Sequence, residues 1–280
     1  MVIELENNRG ETLTTHILLP CSKSKSVIHI EELAWNSESS LAGWKKNWSR
    51  QKVRTPALEL YTGRILQEQI QICEQYDDVK VYIISAGAGL IHPISKKIPS
   101  YEATFQDPDR AKFADWHELP EGGLEQISLK PEDTVVCFAP PSYQRALKTD
   151  PLFEMICKQL TVLSSSPLVD FSKHAIRIHP RLKEVLNVSS RDLNTELTRV
   201  YFSQGLKGFD SLYRDCLVLP IANKRRSVDD DELRQLISEA PESIKSSITK
   251  TVQYIRHECH VSSIDTRIRR ILLDIRDRNI

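Results

Sequence analysis

The chain has 280 residues, of which 40% are hydrophobic and 27% are charged. This composition is typical of one large or two ordinary globular domains, and it excludes collagen-like, low-complexity and disordered chains. The 38 basic and 38 acidic residues cancel, so net charge gives no general attraction to nucleic acid, and any basic surface has to be local.

No apolar run, Ile17–Leu19 included, approaches the roughly 18 residues that a membrane span requires. The amino terminus is acidic and no apolar signal region follows it, so we expect a cytoplasmic protein that has no membrane partner. The six cysteines are widely spaced and contain no Cys-x-x-Cys pair, which predicts reduced thiols. His257 and His260 flank Cys259 without a second ligand pair, and we expect neither a metal nor a cofactor.

The first strand is predicted over Thr15–Leu19, and it ends at the polar loop Pro20–Lys25. Helical spacing of apolar residues then predicts an amphipathic helix from Pro56 to about Glu74. A second strand, Val79–Ile84, ends at the small residues Ser85–Gly89, where the backbone can turn tightly.

Two more strands follow, Thr134–Phe138 and Leu160–Leu163, and each also ends at a polar or small loop. A helix through Tyr143 and Leu147 lies between them. Strands that alternate with helices predict an α/β fold with a mostly parallel sheet and flanking helices, in which ligands bind at the carboxyl ends of the strands. The four loops are therefore candidates for one cleft.

The pattern changes to helices beyond about residue 187, at 191–202, 229–238, 242–259 and 263–278. We therefore expect an α/β domain over residues 1–186 and a helical carboxy-terminal region over 187–280. The last helix carries several arginines, which favours either contact with a nucleic-acid backbone or a docked helix with a salt-bridged face.

Three loops carry candidate binding groups. Hydroxyl and ammonium groups in the loop after the first strand suit an anion such as phosphate, although the spacing is not that of a P-loop and solvated side chains are the alternative. Cys21 is either a nucleophile or a buried thiol. His92 is an acid, a base or a structural hydrogen-bonding group, and Glu102 is a carboxylate set between aromatic residues or a surface side chain.

Four segments occur in a specific order, namely Leu19–Lys25, Ala57–Arg64, Ile84–Ile91 and Pro99–Phe105. Their series resembles an uncharacterised prokaryotic family related to YaaA and to the catalytic core of archaeosine synthase, and the likeness covers roughly residues 14 to 185. The resemblance implies a uracil-DNA glycosylase-like fold and a nucleobase bound in a cleft. The family carries a Tyr-Asp pair, whose acidic member is Glu102 in this chain. It also carries a Ser-Ala-x-x-Gly-Leu turn, whose middle is here the small pair Gly87-Ala88, and this predicts an enlarged pocket.

The resemblance also implies roles for residues of this chain. It implies a DNA glycosylase that hydrolyses the N-glycosidic bond of a bulky modified base, as in defence against phage with modified DNA, and base flipping would bring that base to the pocket. We expect catalysis by Glu102, Lys23 and Tyr61. We expect substrate binding by Cys21, Ser22, Lys25, Arg64, Ser85, Gly87, Gly89, His92, Tyr101 and Ser166.

Two other functions stay open. A transfer RNA base-modifying enzyme of the deazaguanine type would take RNA instead of DNA as its partner, and a DNA-binding stress protein like YaaA would not be an enzyme. The sequence does not separate hydrolysis from a lyase mechanism in which Lys23 attacks the sugar. It also does not indicate an oligomeric state.

Overall fold

The computed structural model describes residues 13–29, 31–36, 38–105, 116–164, 174–218 and 226–278. Contacts divide the chain into two compact units, Met1–Val218 and Leu219–Ile280. Each unit has its own hydrophobic core.

The first unit contains all of the strands in the described ranges. They are β1 (Thr15–Pro20), β2 (Thr55–Pro56), β3 (Val79–Ser85), β4 (Gly89–Ile91), β5 (Lys97–Ile98), β6 (Thr134–Cys137), β7 (Leu160–Ser164) and β8 (His174–Arg177). Six of these form one sheet in the order β4-β3-β1-β6-β7-β8, and β2 pairs with β5.

The main sheet is parallel except at one edge. β1 lies in the centre, in register with β3 from Thr15 opposite Val79 and with β6 from Thr15 opposite Thr134. β4 runs antiparallel to β3. The long apolar runs of β1, β3, β6 and β7 are buried, as expected for strands covered on both faces. The α/β class, the four predicted strands and the mostly parallel sheet are confirmed.

Helices of the first unit connect and cover these strands. They are α1 (Leu41–Arg50), α2 (Ala57–Leu60), α3 (Arg64–Cys73), α4 (Pro141–Lys148), α5 (Phe153–Ile156), α6 (Leu182–Val185) and α7 (Leu193–Val218). Gly205 interrupts α7 with a φ of 61°. In the described part of the chain, no helix is both long and apolar enough to cross a bilayer.

The single helix predicted from Pro56 to Glu74 is two helices. α2 ends before Tyr61, and the amide of Thr62 donates to the carbonyl of Ser24 at 3.0 Å instead of continuing a helix. Gly63 then precedes α3. The periodic apolar positions are correct, but a tertiary hydrogen bond interrupts the helix, and the sequence pattern does not reveal such a bond.

The helical part of the chain begins near residue 187, as predicted. The boundary between the two compact units, however, lies between Val218 and Leu219 and not between residues 186 and 187. α7 packs against α3 and α6 in the first unit. The buried Gln69 side chain donates to Thr198 Oγ1 at 2.9 Å, and Tyr76 stacks on Phe202 with ring centroids 4.5 Å apart. These contacts attach α7 to the α/β unit.

The second unit consists of α8 (Asp230–Glu239), α9 (Glu242–Lys245), α10 (Ile248–His257) and α11 (Asp265–Arg278). The helix predicted over 242–259 is broken because Ser247 caps α10 and accepts from the amide of Lys250. α11 buries Ile268, Ile271 and Leu272 in the core of this unit.

A histidine is fully buried in the central strand of the sheet. His16 Nε2 lies 3.2 Å from Asp133 Oδ2. The Asp133 carboxylate also accepts hydrogen bonds from the amides of Thr14, through Oδ1, and Lys130, through Oδ2. His16 Nδ1 is buried without a hydrogen-bond partner among the described residues. Burial lowers the pKa of His16, and the hydrogen bond to Asp133 opposes this shift without cancelling it.

The neutral form of His16 should therefore stabilise the first unit at neutral pH. The folded-state pKa lies below the unfolded value of about 6.5, so this contribution is present above pH of about 6.5 and is lost as the pH falls toward the folded value. We expect H16Q, which keeps a donor toward Asp133, to weaken the loss of stability on acidification. Urea unfolding at several pH values, followed by tryptophan fluorescence, measures this effect.

All four tryptophans precede residue 117, so their fluorescence reports on the first unit. H257Q is the matched control because His257 is exposed in the second unit. An H16Q profile that stays parallel to that of the unaltered chain would contradict the assignment.

Candidate active site

Three hydroxyl groups from separate segments meet beyond the carboxyl end of β3. Tyr61 Oη donates to Ser85 Oγ at 3.2 Å and lies 2.7 Å from Tyr101 Oη, and Ser85 Oγ also hydrogen-bonds Tyr101 Oη. Ser85 Oγ accepts from the amides of Gly87 and Ala88 as well. We call Tyr61, Ser85 and Tyr101 the hydroxyl ring, since each of the three can donate once and accept once around a closed cycle.

The hydroxyl ring is inaccessible to solvent. Tyr61 and Ser85 are 0% exposed and Tyr101 is 1% exposed. Burial raises the pKa of both tyrosines well above the ordinary value, so both phenols stay protonated. These buried groups can hold neighbouring segments in place. Tyr61, for which we expect a catalytic role, lies where its hydroxyl holds these segments together.

Lys25 covers the faces of the two tyrosines. Its Nζ lies 4.6 Å from the ring centroid of Tyr101 and 5.8 Å from that of Tyr61, distances at which an ammonium group is attracted to an aromatic face. Lys25 and Tyr61 also form an antiparallel bridge. Burial lowers the pKa of Lys25, and the ionised forms of Cys21 and Glu102 oppose this shift.

Glu102 lies at the accessible side of this cluster. Its carboxylate is 50% exposed and lies 3.1 Å from His29 Nε2. Its backbone is held between two residues, because its amide donates to Leu33 and its carbonyl accepts from Trp35, both at 2.8 Å. The structure thus places the accessible carboxylate of Glu102, for which we expect a catalytic role, within electrostatic range of Lys25.

Cys21 directly follows β1 and lies beside the end of β3, where its amide donates to the Ile84 carbonyl at 3.1 Å. Its Sγ lies 3.4 Å from Tyr143 Oη at the start of α4, and burial raises the pKa of that phenol. Cys21 is only partly exposed. These contacts attach the loop to the strand behind it and bring Cys21 close to Lys25.

In the rest of the loop after β1, Ser22 is partly buried and Lys23 is exposed. Ser22 packs on Gly63, where an added Cβ would lie 2.1 Å from Ser22 Oγ, and the same oxygen accepts from the amide of Ser24 at 3.1 Å. The structure therefore makes Lys25, which we expected to bind substrate, the central cation, whereas the predicted catalytic Lys23 lies in solvent.

Gly87 does not enlarge a pocket, so that expectation is wrong. A Cβ at this position would lie 2.5 Å from the Tyr101 ring and 3.0 Å from Trp44. Trp44 Nε1 donates to the Gly87 carbonyl at 2.7 Å. The space that a side chain would occupy is thus filled by aromatic rings that support the hydroxyl ring.

Gly89 has a backbone role. Its φ is 104°, and a Cβ would lie 2.0 Å from the carbonyl oxygen of Gly122, so both the conformation and the close approach require glycine. The turn between β3 and β4 pairs Gly89 with Ser85 of the hydroxyl ring and also brings it against the loop that contains Gly122.

Arg64 and His92 are not brought to the hydroxyl ring. Arg64 forms ion pairs with Glu68 and Asp192 at the start of α3. His92 contacts Tyr82 at a centroid distance of 6.0 Å, three residues and about 10 Å back along β3 from Ser85. Ser166 lies outside the described residues.

Sequence reasoning missed several residues of the site. His29 contacts Glu102, Trp44 and Trp48 pack on Tyr101 at centroid distances of 6.2 and 5.7 Å, and Trp116 Nε1 donates to the Ser85 carbonyl at 2.9 Å. The available sequence signal is the pair of tryptophans in α1. Its tryptophans lie four residues apart, a spacing that places Trp44 and Trp48 on one helix face.

Within the described ranges, no group of three or more His, Cys, Asp or Glu side chains is arranged to hold a metal ion. A cavity of about 280 Å³ lies elsewhere, between α3 and α7, and none of the residues expected in the site lines it. Its lining consists of Glu68, Gln71, Ile72, Gln75, Tyr76, Arg199 and Ser203.

The filled space at Gly87 predicts that even a methyl group will be destabilising there. We expect G87A to lower the free energy of unfolding by about 1–3 kcal/mol, because the added Cβ displaces Tyr101 or Trp44. Chemical denaturation followed by tryptophan fluorescence measures it. G43A is the control, since the nearest atom to its Cβ is Ser40 Oγ at 3.1 Å, and equal stability of both variants would contradict the packing argument.

Residues 47–164 match the sequence profile of a family of unknown function (DUF6884). This segment includes the hydroxyl ring and Glu102, and Lys25 precedes it. No curated protein and no solved structure matches the chain. Sequence similarity thus connects most of the site to a family of unknown function without giving it an activity.

Proposed function

We propose that this protein is a DNA glycosylase that hydrolyses the N-glycosidic bond of a bulky modified base, with Glu102 and Lys25 as its catalytic groups. The observation that carries the proposal is that a partly buried lysine lies over the tyrosines of the hydroxyl ring, within electrostatic range of an accessible carboxylate. The resemblance to the family related to YaaA and archaeosine synthase supports a nucleobase as the ligand, and a uracil-DNA glycosylase-like fold is part of the same proposal.

The two groups suit the charges that develop in this reaction. The bond between C1′ and the base nitrogen breaks with its electron pair going to the base, so the sugar becomes positive and the base negative. Glu102 stabilises the sugar and accepts a proton from the water that adds to C1′. The Lys25 ammonium donates a proton to the departing base. His29, 3.1 Å away, holds the carboxylate in position.

A basic helix lies next to these groups. α1 packs Trp44 and Trp48 on Tyr101 and leaves Lys46 and Arg50 exposed on its outer side. Lys52 follows in the next segment and is also exposed. Positive groups of this kind neutralise phosphates, so this surface supports a nucleic-acid substrate despite the zero net charge.

Three arginines of α11 already have acceptor partners within the second unit. Arg267 and Arg270 of α11 both pair with Asp230, and an Arg276 nitrogen donates to the Lys245 carbonyl. Arg269 is exposed. These contacts favour the salt-bridged alternative for α11, and we therefore place the main contact with the DNA backbone at α1.

Replacement of the carboxylate should separate binding from catalysis. We expect E102Q to release base from modified phage DNA at least about a hundredfold more slowly, because an amide neither stabilises the positive sugar nor accepts the proton. Binding of the same DNA should stay within about twofold, since the backbone contacts remain. Abasic sites are counted after incubation with modified and unmodified phage DNA.

E132Q is the matched control, because Glu132 is an exposed carboxylate in the turn before β6. If the folded, unaltered protein produces no abasic sites on either modified or unmodified phage DNA, the glycosylase proposal is wrong. If cells that carry E102Q stay as well protected against phage as cells with the unaltered protein, the result would favour a non-enzymatic DNA-binding protein. If the protein instead modifies RNA and leaves the glycosidic bond intact, the result would favour the transfer RNA enzyme.

The two lysines of the loop provide a second test. We expect K25M to lose base release by about a hundredfold or more, whereas K23M, with an exposed side chain in the same loop, should change it by only about twofold. Because the pKa of Lys25 is lowered, activity should decline with rising pH earlier than for an ordinary lysine. Single-turnover rates across a pH series measure both effects, and equal losses in K25M and K23M would contradict the assignment.

A further inference from the structure

The backbone of Lys25 is fixed by hydrogen bonds on both sides. The amide of Thr62 donates to the Ser24 carbonyl at 3.0 Å, and the amide of Ser26 donates to the Leu60 carbonyl at 2.9 Å. These two bonds flank Lys25 and form an antiparallel bridge. The backbone of this lysine is therefore held as that of a strand residue is, although it belongs to a loop.

The side chain of Lys25 ends on the faces of two aromatic rings. Its Nζ lies 4.6 Å from the ring centroid of Tyr101 and 5.8 Å from that of Tyr61. Within the described ranges, no ion pair or hydrogen bond holds this nitrogen. Burial lowers the pKa of Lys25 and so favours the neutral amine. A neutral lysine is a nucleophile toward a carbonyl carbon.

In the proposed reaction, base removal leaves a carbonyl group within reach of this amine. Lys25 gives a proton to the departing base and becomes neutral, while Glu102 takes a proton from the water that adds to C1′. The sugar ring then opens to an aldehyde at C1′, the carbon that carried the base. An amine adds to such a carbon and forms an imine with it. The two groups that release the base are therefore left in the protonation states that a second reaction requires.

We propose that Lys25 attacks C1′ of the abasic sugar, so that the protein is also a lyase that cuts the DNA strand where it has removed the base. This inference rests on the proposed glycosylase function and names an abasic site in DNA as the second substrate. The covalent step belongs to Lys25, which lies on the hydroxyl ring beside Glu102. It does not belong to Lys23, whose side chain is exposed.

The lyase step balances without a further reactant. Nζ adds to the aldehyde carbon, and the hydroxyl group formed there leaves as water with the proton that Glu102 holds, which gives a protonated imine. The Glu102 carboxylate then takes the proton of C2′, and the bond between C3′ and the phosphate oxygen breaks with its electron pair going to the phosphate. Water finally hydrolyses the imine of the unsaturated sugar, which restores the aldehyde and the Lys25 ammonium group.

The test uses a duplex oligonucleotide with one aldehydic abasic site and sodium cyanoborohydride, which reduces an imine to a stable amine. We expect the unaltered chain to form a covalent adduct that survives denaturing electrophoresis and, without the reductant, to cut the strand. K25R should lower the yield of adduct by about tenfold or more, because a guanidinium keeps the charge over the rings but forms no imine. K23M is the matched control and should stay within about twofold of the unaltered chain.

The outcomes separate the lyase step from the glycosylase activity, which is measured independently as free base released from modified phage DNA. Free base without an adduct on the abasic oligonucleotide overturns the lyase step and leaves the glycosylase proposal standing. Equal adducts from K25R and the unaltered chain also overturn it, because they assign the imine to another amine. If no base is released, the glycosylase proposal is wrong, and an adduct that depends on Lys25 would then support the lyase step alone.

Discussion

The site depends on the burial of three hydroxyl groups that satisfy one another. Tyr61, Ser85 and Tyr101 belong to segments far apart in the chain, and each group would be costly to bury alone. The closed cycle of hydrogen bonds removes that cost only when all three segments are in place. The geometry of Lys25 and Glu102 follows from this constraint, because both residues lie on segments that the hydroxyl ring fixes.

Rigidity and access are divided between the two sides of the hydroxyl ring. The inner side is packed by Trp44 and Trp116, whose ring nitrogens donate to the carbonyls of Gly87 and Ser85. The outer side carries Lys25 and the half-exposed Glu102. This arrangement, a packed support behind a lysine and an accessible carboxylate, suits the preorganised electrostatic catalysis that we propose.

The α/β class and its central strands follow from the sequence because buried parallel strands are read as short continuous apolar runs, such as Ile17–Leu19 and Val81–Ile84. The order of the strands cannot be read in this way. Sequence order also could not distinguish Lys23 from Lys25, since both are loop lysines two residues apart. Only the bridge between Lys25 and Tyr61, a pairing across more than thirty residues, turns one of them toward the site.

The error at Gly87 has the same physical origin. A small residue leaves space, and the sequence does not say whether a ligand or another part of the chain fills it. Here Tyr101 and Trp44 occupy the space, and Gly63 likewise accommodates Ser22. These two glycines therefore serve the close packing of segments that carry the charged groups. Their small size brings the loop after β1 and the Tyr101 segment near enough for Lys25 to lie over the tyrosine rings, where Glu102 acts on it.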